Sequence, residues 1–179
     1  LLNRLTVRAF NAAYYHWGAW RAGAGLVDWD AFFYPLDAVA GWNRIYGRRG
    51  LIQFQCALPP DAARDGLHAL LAAIGASGEG SFLAVLKRFG PGRGGLSFPM
   101  QGVTLALDFR ATPRALALLG RLDTITLDHG GRFYLAKDAR LPAETFARAE
   151  PRLADFRAAR TGWGAAGCFA SAQSERLGL

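Results

Sequence analysis

The sequence is poor in the residues that most often build redox and metal sites. Its 179 residues include two cysteines and three histidines, and Cys56 and Cys168 form neither a CxxC pair nor a zinc-ligand spacing. We therefore predict no redox motif and no metal site. Cys56 lies in an apolar run, where a thiol in the core is the simpler role.

Long apolar runs are also missing. No segment approaches the roughly 20 apolar residues that a transmembrane helix needs. The first residues lack the basic, apolar and small-residue pattern of a secretory signal. We therefore expect a cytoplasmic chain with no transmembrane segment, and binding to a membrane surface is the alternative.

Positive charge is abundant but it is not concentrated. The net charge is +7 at pH 7, a value that is compatible with nucleic acid as a partner. The arginines, however, are spread along the chain with no dense block, unlike the basic stripe of a nucleic-acid-binding protein. We predict no nucleic-acid partner, while an anionic group on a small substrate stays open.

The most informative segment is the apolar run 51–58, which contains two polar residues. Gln53 and Gln55 stand two residues apart in it. Successive side chains of a strand point to opposite faces, so Phe54 and Cys56 can pack into a core while both amides project from the other face. The run therefore predicts a strand with one apolar and one polar face.

Two later runs repeat this division. Lys87 ends one face of the run 81–89, whereas Thr104 and Asp108 alternate with apolar residues in the run 102–109. The three predicted strands therefore offer amide, ammonium, hydroxyl and carboxylate groups to one shared surface.

The segments between these strands predict the topology. Apolar residues recur at helical spacing near 61–76 and 113–129, and Thr112 and Pro113 are suited to begin the second helix. A last strand is predicted at 132–137. The order strand, helix, strand, strand, helix, strand predicts an α+β fold, an antiparallel sheet with both helices on one face, as in a ferredoxin-like split βαβ core. The open face then meets water, a second domain or a ligand.

Less regular segments flank the predicted core at 51–137. Residues 1–50 are interpreted as a lead-in with a helix at 5–17, and residues 138–179 as a C-terminal helical segment. The aromatic residues of the first helix are expected in a core or an interface; they are Tyr14, Tyr15, Trp17 and Trp20. The glycine-rich connection 90–101 is expected to be a mobile loop, with a lid over a ligand as the alternative.

Several motifs, in order, resemble one known family. They are Phe33-Tyr34-Pro35-Leu36-Asp37, Gly41-Trp42-Asn43-Arg44-Ile45-Tyr46-Gly47, Gln53-Phe54-Gln55, Lys87-Arg88-Phe89-Gly90, Leu96-Ser97-Phe98-Pro99, Tyr134-Leu135-Ala136-Lys137-Asp138-Ala139-Arg140 and Ala143-Glu144-Thr145-Phe146. Together they resemble the C-terminal, substrate-domain portion of FAD-linked oxidoreductases of the vanillyl-alcohol oxidase type. The resemblance covers nearly the whole chain.

The resemblance implies roles for individual residues. The positions of Gln53, Gln55 and Lys87 line the substrate cavity beside the flavin in that family, and Lys137 lies close to both the ring and the substrate. Tyr134 is implied to lie near the flavin. Thr104 faces the same predicted surface, and we therefore include it among the substrate-binding candidates. For Lys137, a surface ion pair with Asp138 or Glu144 is the structural alternative.

The resemblance also implies a cofactor and a partner. FAD would be held by an N-terminal FAD-binding domain, whose glycine-rich pyrophosphate segment has no counterpart here, so the isolated chain is expected to be inactive and to lack FAD. Thr104 and Ala106 stand where the family has asparagine and cysteine, so only a broad substrate class is implied, a sugar, sugar lactone or polyol. The alternative is a ferredoxin-like module that binds a ligand or protein without catalysis.

Overall fold

Four strands and the helices around them build the structure, a computed structural model that describes residues 4–34, 37–81, 83–92 and 94–179. The strands are β1 (Leu51–Leu58), β2 (Ala84–Phe89), β3 (Gly102–Arg110) and β4 (Arg132–Phe133). The helices of the described residues are α1 (Arg4–Trp20), α2 (Trp29–Phe33), α3 (Pro60–Ser77), α4 (Pro113–Asp128), α5 (Ala143–Ala149), α6 (Leu153–Gly162) and α7 (Ala172–Leu177).

The four strands form one sheet in the order β2-β3-β1-β4. Every neighbouring pair is antiparallel. Strand β3 therefore separates β1 from β2, which run parallel to each other and are joined by α3. This is the split βαβ arrangement, and it confirms the predicted α+β fold with an antiparallel sheet.

The strand register confirms the two faces. Phe54 pairs with Leu107 and Cys56 with Leu105, whereas Gln53 pairs with Asp108. Because paired residues point to the same side of a sheet, apolar residues meet apolar residues on one face and polar residues meet on the other. Lys87 on β2 pairs with Thr104 and therefore shares the polar face.

The apolar face is covered by α3 and α4. Residues from the sheet and both helices form one buried cluster, which includes Phe54, Cys56, Leu105, Leu107 and Phe109 from the sheet and Leu70, Leu118, Leu119 and Leu122 from the helices. Helix α4 begins as predicted, because the Thr112 side chain accepts a hydrogen bond from the backbone N–H of Ala115 at 3.1 Å. Both helices therefore lie on the side of the sheet opposite the glutamines.

The last predicted strand is wrong in its length. Strand β4 ends at Phe133, and Leu135–Lys137 form a 3₁₀ turn instead of continuing to Lys137 as a strand. The backbone N–H of Tyr134 still bonds to the carbonyl of Gln55, but the N–H of Lys137 bonds to the carbonyl of Tyr134. A local turn bond thus replaces the ladder bond and carries Lys137 away from the sheet edge.

The first strand after α3 also begins later than predicted. Strand β2 starts at Ala84 instead of Ser81, and Phe82, which belongs to the predicted apolar set, lies outside the described residues. Its remaining residues alternate as predicted.

The N-terminal aromatic residues are not part of the core. Four aromatic residues of α1 are each more than half exposed, namely Tyr14, Tyr15, Trp17 and Trp20. The expectation that they lie in a core is therefore wrong, and an interface role stays a prediction. Within the described residues, no helix combines the length and the apolar character needed to cross a membrane.

Candidate functional site

The glutamines of β1 are hydrogen-bonded to side chains of β3. Gln53 Nε2 donates to Asp108 Oδ1 at 2.9 Å, directly across the strand pair. Gln55 Nε2 donates to Thr104 Oγ1 at 3.0 Å, and that hydroxyl in turn donates to the backbone carbonyl of Cys56 at 2.8 Å. The polar face is therefore an ordered network of hydrogen bonds.

The β3 members of this network are almost entirely shielded from solvent. Thr104 is 1% exposed and Asp108 is 2% exposed, whereas Gln53 and Gln55 are partly exposed. Tyr46, in the 3₁₀ helix Trp42–Tyr46, is also buried; burial and the negative charge of Asp108 raise its pKa. The glutamines are thus the outer layer of the network, and Thr104 and Asp108 are the inner layer.

Lys137 reaches the same region from a short turn that the C-terminal helix holds in place. Gln173 Nε2 on α7 donates to the carbonyl of Leu135 at 2.7 Å and to that of Asp138 at 3.1 Å. Arg176 Nη2 donates to Asp138 Oδ2 at 2.8 Å. The position of Lys137 therefore depends on residues that lie far along the chain.

Four of the predicted site residues line one depression. Its walls include Gln53, Gln55, Tyr134 and Lys137, together with Phe54, Phe133, Asp138, Arg140 and Leu141. The cavity volume that it encloses is about 10 Å³, far below the roughly 300 to 1,000 Å³ of typical ligand sites. The depression therefore encloses too little space to hold a ligand by itself.

The other two predicted residues lie outside that lining. Lys87 is exposed on the edge strand β2, and Thr104 is buried beneath Gln55. Lys87 and Lys137 are the two lysines of the sequence, so the polar face and its neighbouring turn hold both.

The ion-pair alternative for Lys137 does not form among the described residues. Asp138 pairs with Arg176 instead, and Glu144 is exposed at the start of α5. No ion pair of Lys137 occurs in the described ranges, so its ammonium is available to a ligand at the edge of the depression.

An aromatic contact joins the glycine-rich connection to the site. The ring of Phe98 stacks on that of Tyr134 with 4.6 Å between centroids and 27° between planes, and Phe98 also meets Phe89 edge-on. Arg132 and Arg152 both donate to the carbonyl of Ser97. This part of the connection is therefore anchored beside Tyr134.

A metal cluster and a reactive Cys56 find no support in the described ranges. No group of three or more histidine, cysteine or acidic residues there could hold a metal ion. Burial raises the pKa of the Cys56 thiol to about 12, so this cysteine is an inert core residue.

We expect acid to loosen the turn that carries Lys137. Burial acts to raise the pKa of Asp138, but the N–H groups of Arg140 and Leu141 and the guanidinium of Arg176 outweigh it and lower that pKa. A carboxyl with a lowered pKa stabilises the fold above its unfolded pKa, about 3.9, and loses this contribution as the pH falls through its folded pKa.

The measurement is urea unfolding between about pH 6 and pH 2. The difference in unfolding free energy between wild type and Asp138→Asn should be largest at the upper pH and shrink towards the lower one. Asp65→Asn, which changes an exposed residue of α3, should show no comparable trend. A difference that stayed constant with pH would contradict the role of the Asp138 carboxylate.

The comparisons with known proteins agree with the class that the motifs indicate. The predicted resemblance to FAD-linked oxidoreductases is confirmed, and the order and spacing of the motifs are similar to those of decaprenylphosphoryl-β-D-ribose 2-oxidase. The chain is 39% identical over 149 residues to the decaprenylphosphoryl-β-D-ribose oxidase of Mycolicibacterium smegmatis, which covers 83% of this chain and 32% of the relative.

A second relative is an uncharacterized protein in the mprA 5′ region of Streptomyces coelicolor. It is 34% identical over 146 residues, which are 80% of this chain and 40% of that protein. No family model matches the chain. The chain thus spans about a third of one curated relative and two fifths of the other.

Proposed function

We propose that this chain is the substrate-binding portion of an FAD-dependent oxidoreductase that oxidises a hydroxyl group of a sugar, sugar lactone or polyol. The observation that carries the proposal is the common depression lined by Gln53, Gln55, Tyr134 and Lys137. These side chains come from β1 and from the turn after β4, and the family resemblance had implied a site role for each. The similarity to an oxidase over most of the chain supports the same class.

The residues of the depression suit one side of a flavin. Lys137 offers a positive charge, and Tyr134 offers an aromatic ring that already stacks on Phe98. Bound FAD would supply the hydride acceptor. Lys137 would stabilise negative charge that develops during reduction.

The amides of Gln53 and Gln55 would orient the substrate through its hydroxyl groups. Lys87 would bind an anionic group or a hydroxyl at the outer part of the polar face. Thr104, which is buried and already donates its hydroxyl proton to Cys56, would act through Gln55 without touching the substrate.

The partner in this proposal is an N-terminal FAD-binding domain. The depression is smaller than a usual ligand site, and the relatives are about two and a half to three times as long as the matched region. A second domain placed over the polar face would complete the cavity and exclude water from it.

The isolated chain is expected to purify without flavin colour and to oxidise no sugar. Its own residues provide one wall of the site and no pyrophosphate-binding loop. Co-expression with an FAD-binding domain of a vanillyl-alcohol-oxidase-type enzyme should give a yellow complex whose flavin is reduced anaerobically by one member of a panel of sugars, lactones and polyols. The measurement is the visible flavin spectrum before and after substrate.

Two outcomes would count against this proposal. A chain that retains flavin by itself would contradict the need for the second domain. A chain that binds a polyol tightly by itself, and forms no complex with any flavin domain, would favour the stand-alone ferredoxin-like module.

A further inference from the structure

The orientation of the two site glutamines is fixed from beneath by their neighbours on β3. We infer that Asp108 and Thr104 hold the amides of Gln53 and Gln55 with their carbonyl oxygens towards the depression, so that this wall selects ligands that donate hydrogen bonds, namely polyhydroxylated compounds. This inference rests on the proposed function, and it deepens that function by specifying what the glutamine pair recognises. Asp108 and Thr104 are positioning residues in it.

The carboxylate of Asp108 orients the side-chain amide of Gln53. A carboxylate oxygen only accepts hydrogen bonds, so the group that meets Asp108 Oδ1 at 2.9 Å is the NH2 group of Gln53. Asp108 is 2% exposed and lies directly opposite in the strand pair. Turning the amide over would place two oxygens against each other, and the buried carboxylate therefore fixes the orientation.

The hydroxyl of Thr104 orients the side-chain amide of Gln55. A hydroxyl has one proton, and Thr104 Oγ1 gives that proton to the carbonyl of Cys56 at 2.8 Å. The same oxygen can therefore only accept from Gln55, whose Nε2 lies at 3.0 Å. The backbone of β1 thus fixes Thr104, and Thr104 fixes Gln55.

The consequence is a wall with two acceptors in a defined place. Within the described ranges, neither amide oxygen accepts a hydrogen bond from the chain, and both glutamines line the depression. The two residues are spaced about 7 Å apart along the strand, so they suit two different hydroxyl groups of one molecule. A ligand that can only accept hydrogen bonds would face two carbonyl oxygens and bind poorly.

The orientation can be measured in the chain as it stands. Selective ¹⁵N labelling of glutamine gives four side-chain amide signals, since the sequence has four glutamines, and exposed Gln101 serves as the internal reference. Hydrogen exchange of the bonded Gln55 proton should be slower than that of Gln101 by about 2- to 12-fold, the range of one neutral hydrogen bond. Exchange of the bonded Gln53 proton, whose acceptor is a carboxylate, should be slower by about 12- to 160-fold. Equal exchange at all three residues would overturn the inference.

Two variants test the orientation of Gln53 and that of Gln55 separately. Thr104→Val, which keeps the shape and removes the hydroxyl, should abolish the protection of Gln55 and leave Gln53 protected. Asp108→Val should abolish the protection of Gln53 and leave Gln55 protected. If Asp108→Val fails to fold, Thr104→Val still tests the inference by itself. Thr124→Val is the matched control, because Thr124 is exposed on α4 and bonds only within its helix, to the carbonyl of Gly120. Unchanged Gln55 exchange in Thr104→Val would contradict the inference.

The ligand class is tested with xylitol and its fully O-methylated ether, which share a carbon chain but differ in hydrogen-bond donors. Xylitol should shift the signals of Gln53 and Gln55 and the ether should not. Equal shifts with both compounds, or no shift with xylitol, would overturn donor selectivity. These signals are measured without flavin. If the flavin of the joined enzyme is not reduced, only the proposed function is contradicted. If the glutamine amides are not protected from exchange, only this inference is contradicted.

Discussion

Replacing Lys137 with alanine is expected to slow substrate-driven reduction by about 10²- to 10³-fold in the chain joined to an FAD-binding domain, the loss typical of removing one charge-stabilising group from an active site. Lys137 lines the depression with both glutamines, and its ammonium forms no ion pair among the described residues. Its charge is therefore not committed to an ion pair of the fold and is available to the proposed reaction. Anaerobic stopped-flow measurement of flavin absorbance reports the rate directly.

The same variant should change stability little. An exposed or half-exposed lysine without a partner contributes less than about 1 kcal/mol to folding, so the urea midpoint of Lys137→Ala should stay close to that of wild type. Lys137→Arg, which keeps the charge, should restore part of the rate. Reduction at the wild-type rate in Lys137→Ala would remove this residue from the reaction.

Two further variants show whether the loss is specific. Lys87→Ala removes the other lysine, which lies outside the depression, and should mainly weaken substrate binding. Gln55→Ala should raise KM by about 2- to 12-fold, because a neutral hydrogen bond is worth about 0.5 to 1.5 kcal/mol and need not differ between ground and transition states. Losses of equal size and kind in all three variants would point to damage of the fold.

The largest loss of stability is expected from Asp123→Ala, at about 3 to 5 kcal/mol. Arg140 also lines the depression. It binds the Asp123 carboxylate through both terminal guanidinium nitrogens, at 2.5 and 2.7 Å. Both partners are largely buried, with side-chain exposures of 18% and 7%. Removing the carboxylate would leave the largely buried guanidinium of Arg140 without its ion-pair partner. Equilibrium urea unfolding measures the change.

Burial dominates the energetics of this pair. It raises the pKa of Asp123 in spite of the attraction to Arg140, which indicates that desolvation exceeds the gain from pairing. Replacing both partners with apolar residues, Asp123→Leu with Arg140→Met, should therefore recover most of the stability that Asp123→Ala loses. Asp65→Ala, at an exposed position of α3, should stay within about 0.5 kcal/mol of wild type. A double variant as unstable as Asp123→Ala would show that the pair itself stabilises the fold.

The parts of this fold that sequence could predict are those in which one residue pattern fixes one geometry. Alternation in β1 and β3 determined which side chains share a face, because a strand has no other way to divide its side chains. The alternation alone therefore predicts that the glutamine pair lies on the polar face of the sheet, as observed. Helix α4 was equally predictable, since Thr112 and Pro113 begin it by local chemistry alone.

The rest depended on contacts between residues far apart in the chain. The segment after Phe133 has the composition of a strand, and it turns because Asp138 accepts from two following N–H groups and α7 binds the carbonyls of the turn. No residue near Lys137 in the sequence predicts the hydrogen bonds that Gln173 donates to this turn. The burial of Thr104 likewise follows from Gln55, which lies over it. The alternation of strand residues predicts the face on which Thr104 lies, but it does not predict whether solvent reaches Thr104.

The attachment of α7 to the Lys137 turn joins two segments that the ribosome makes at different times. Asp138 and its partner Arg176 are 38 residues apart, and translation at about 5 to 20 residues per second separates their synthesis by roughly 2 to 8 seconds. The sheet and both covering helices are complete in sequence before that interval begins. A nascent chain therefore contains the residues of its glutamine wall before the residues of α7 that hold the Lys137 turn.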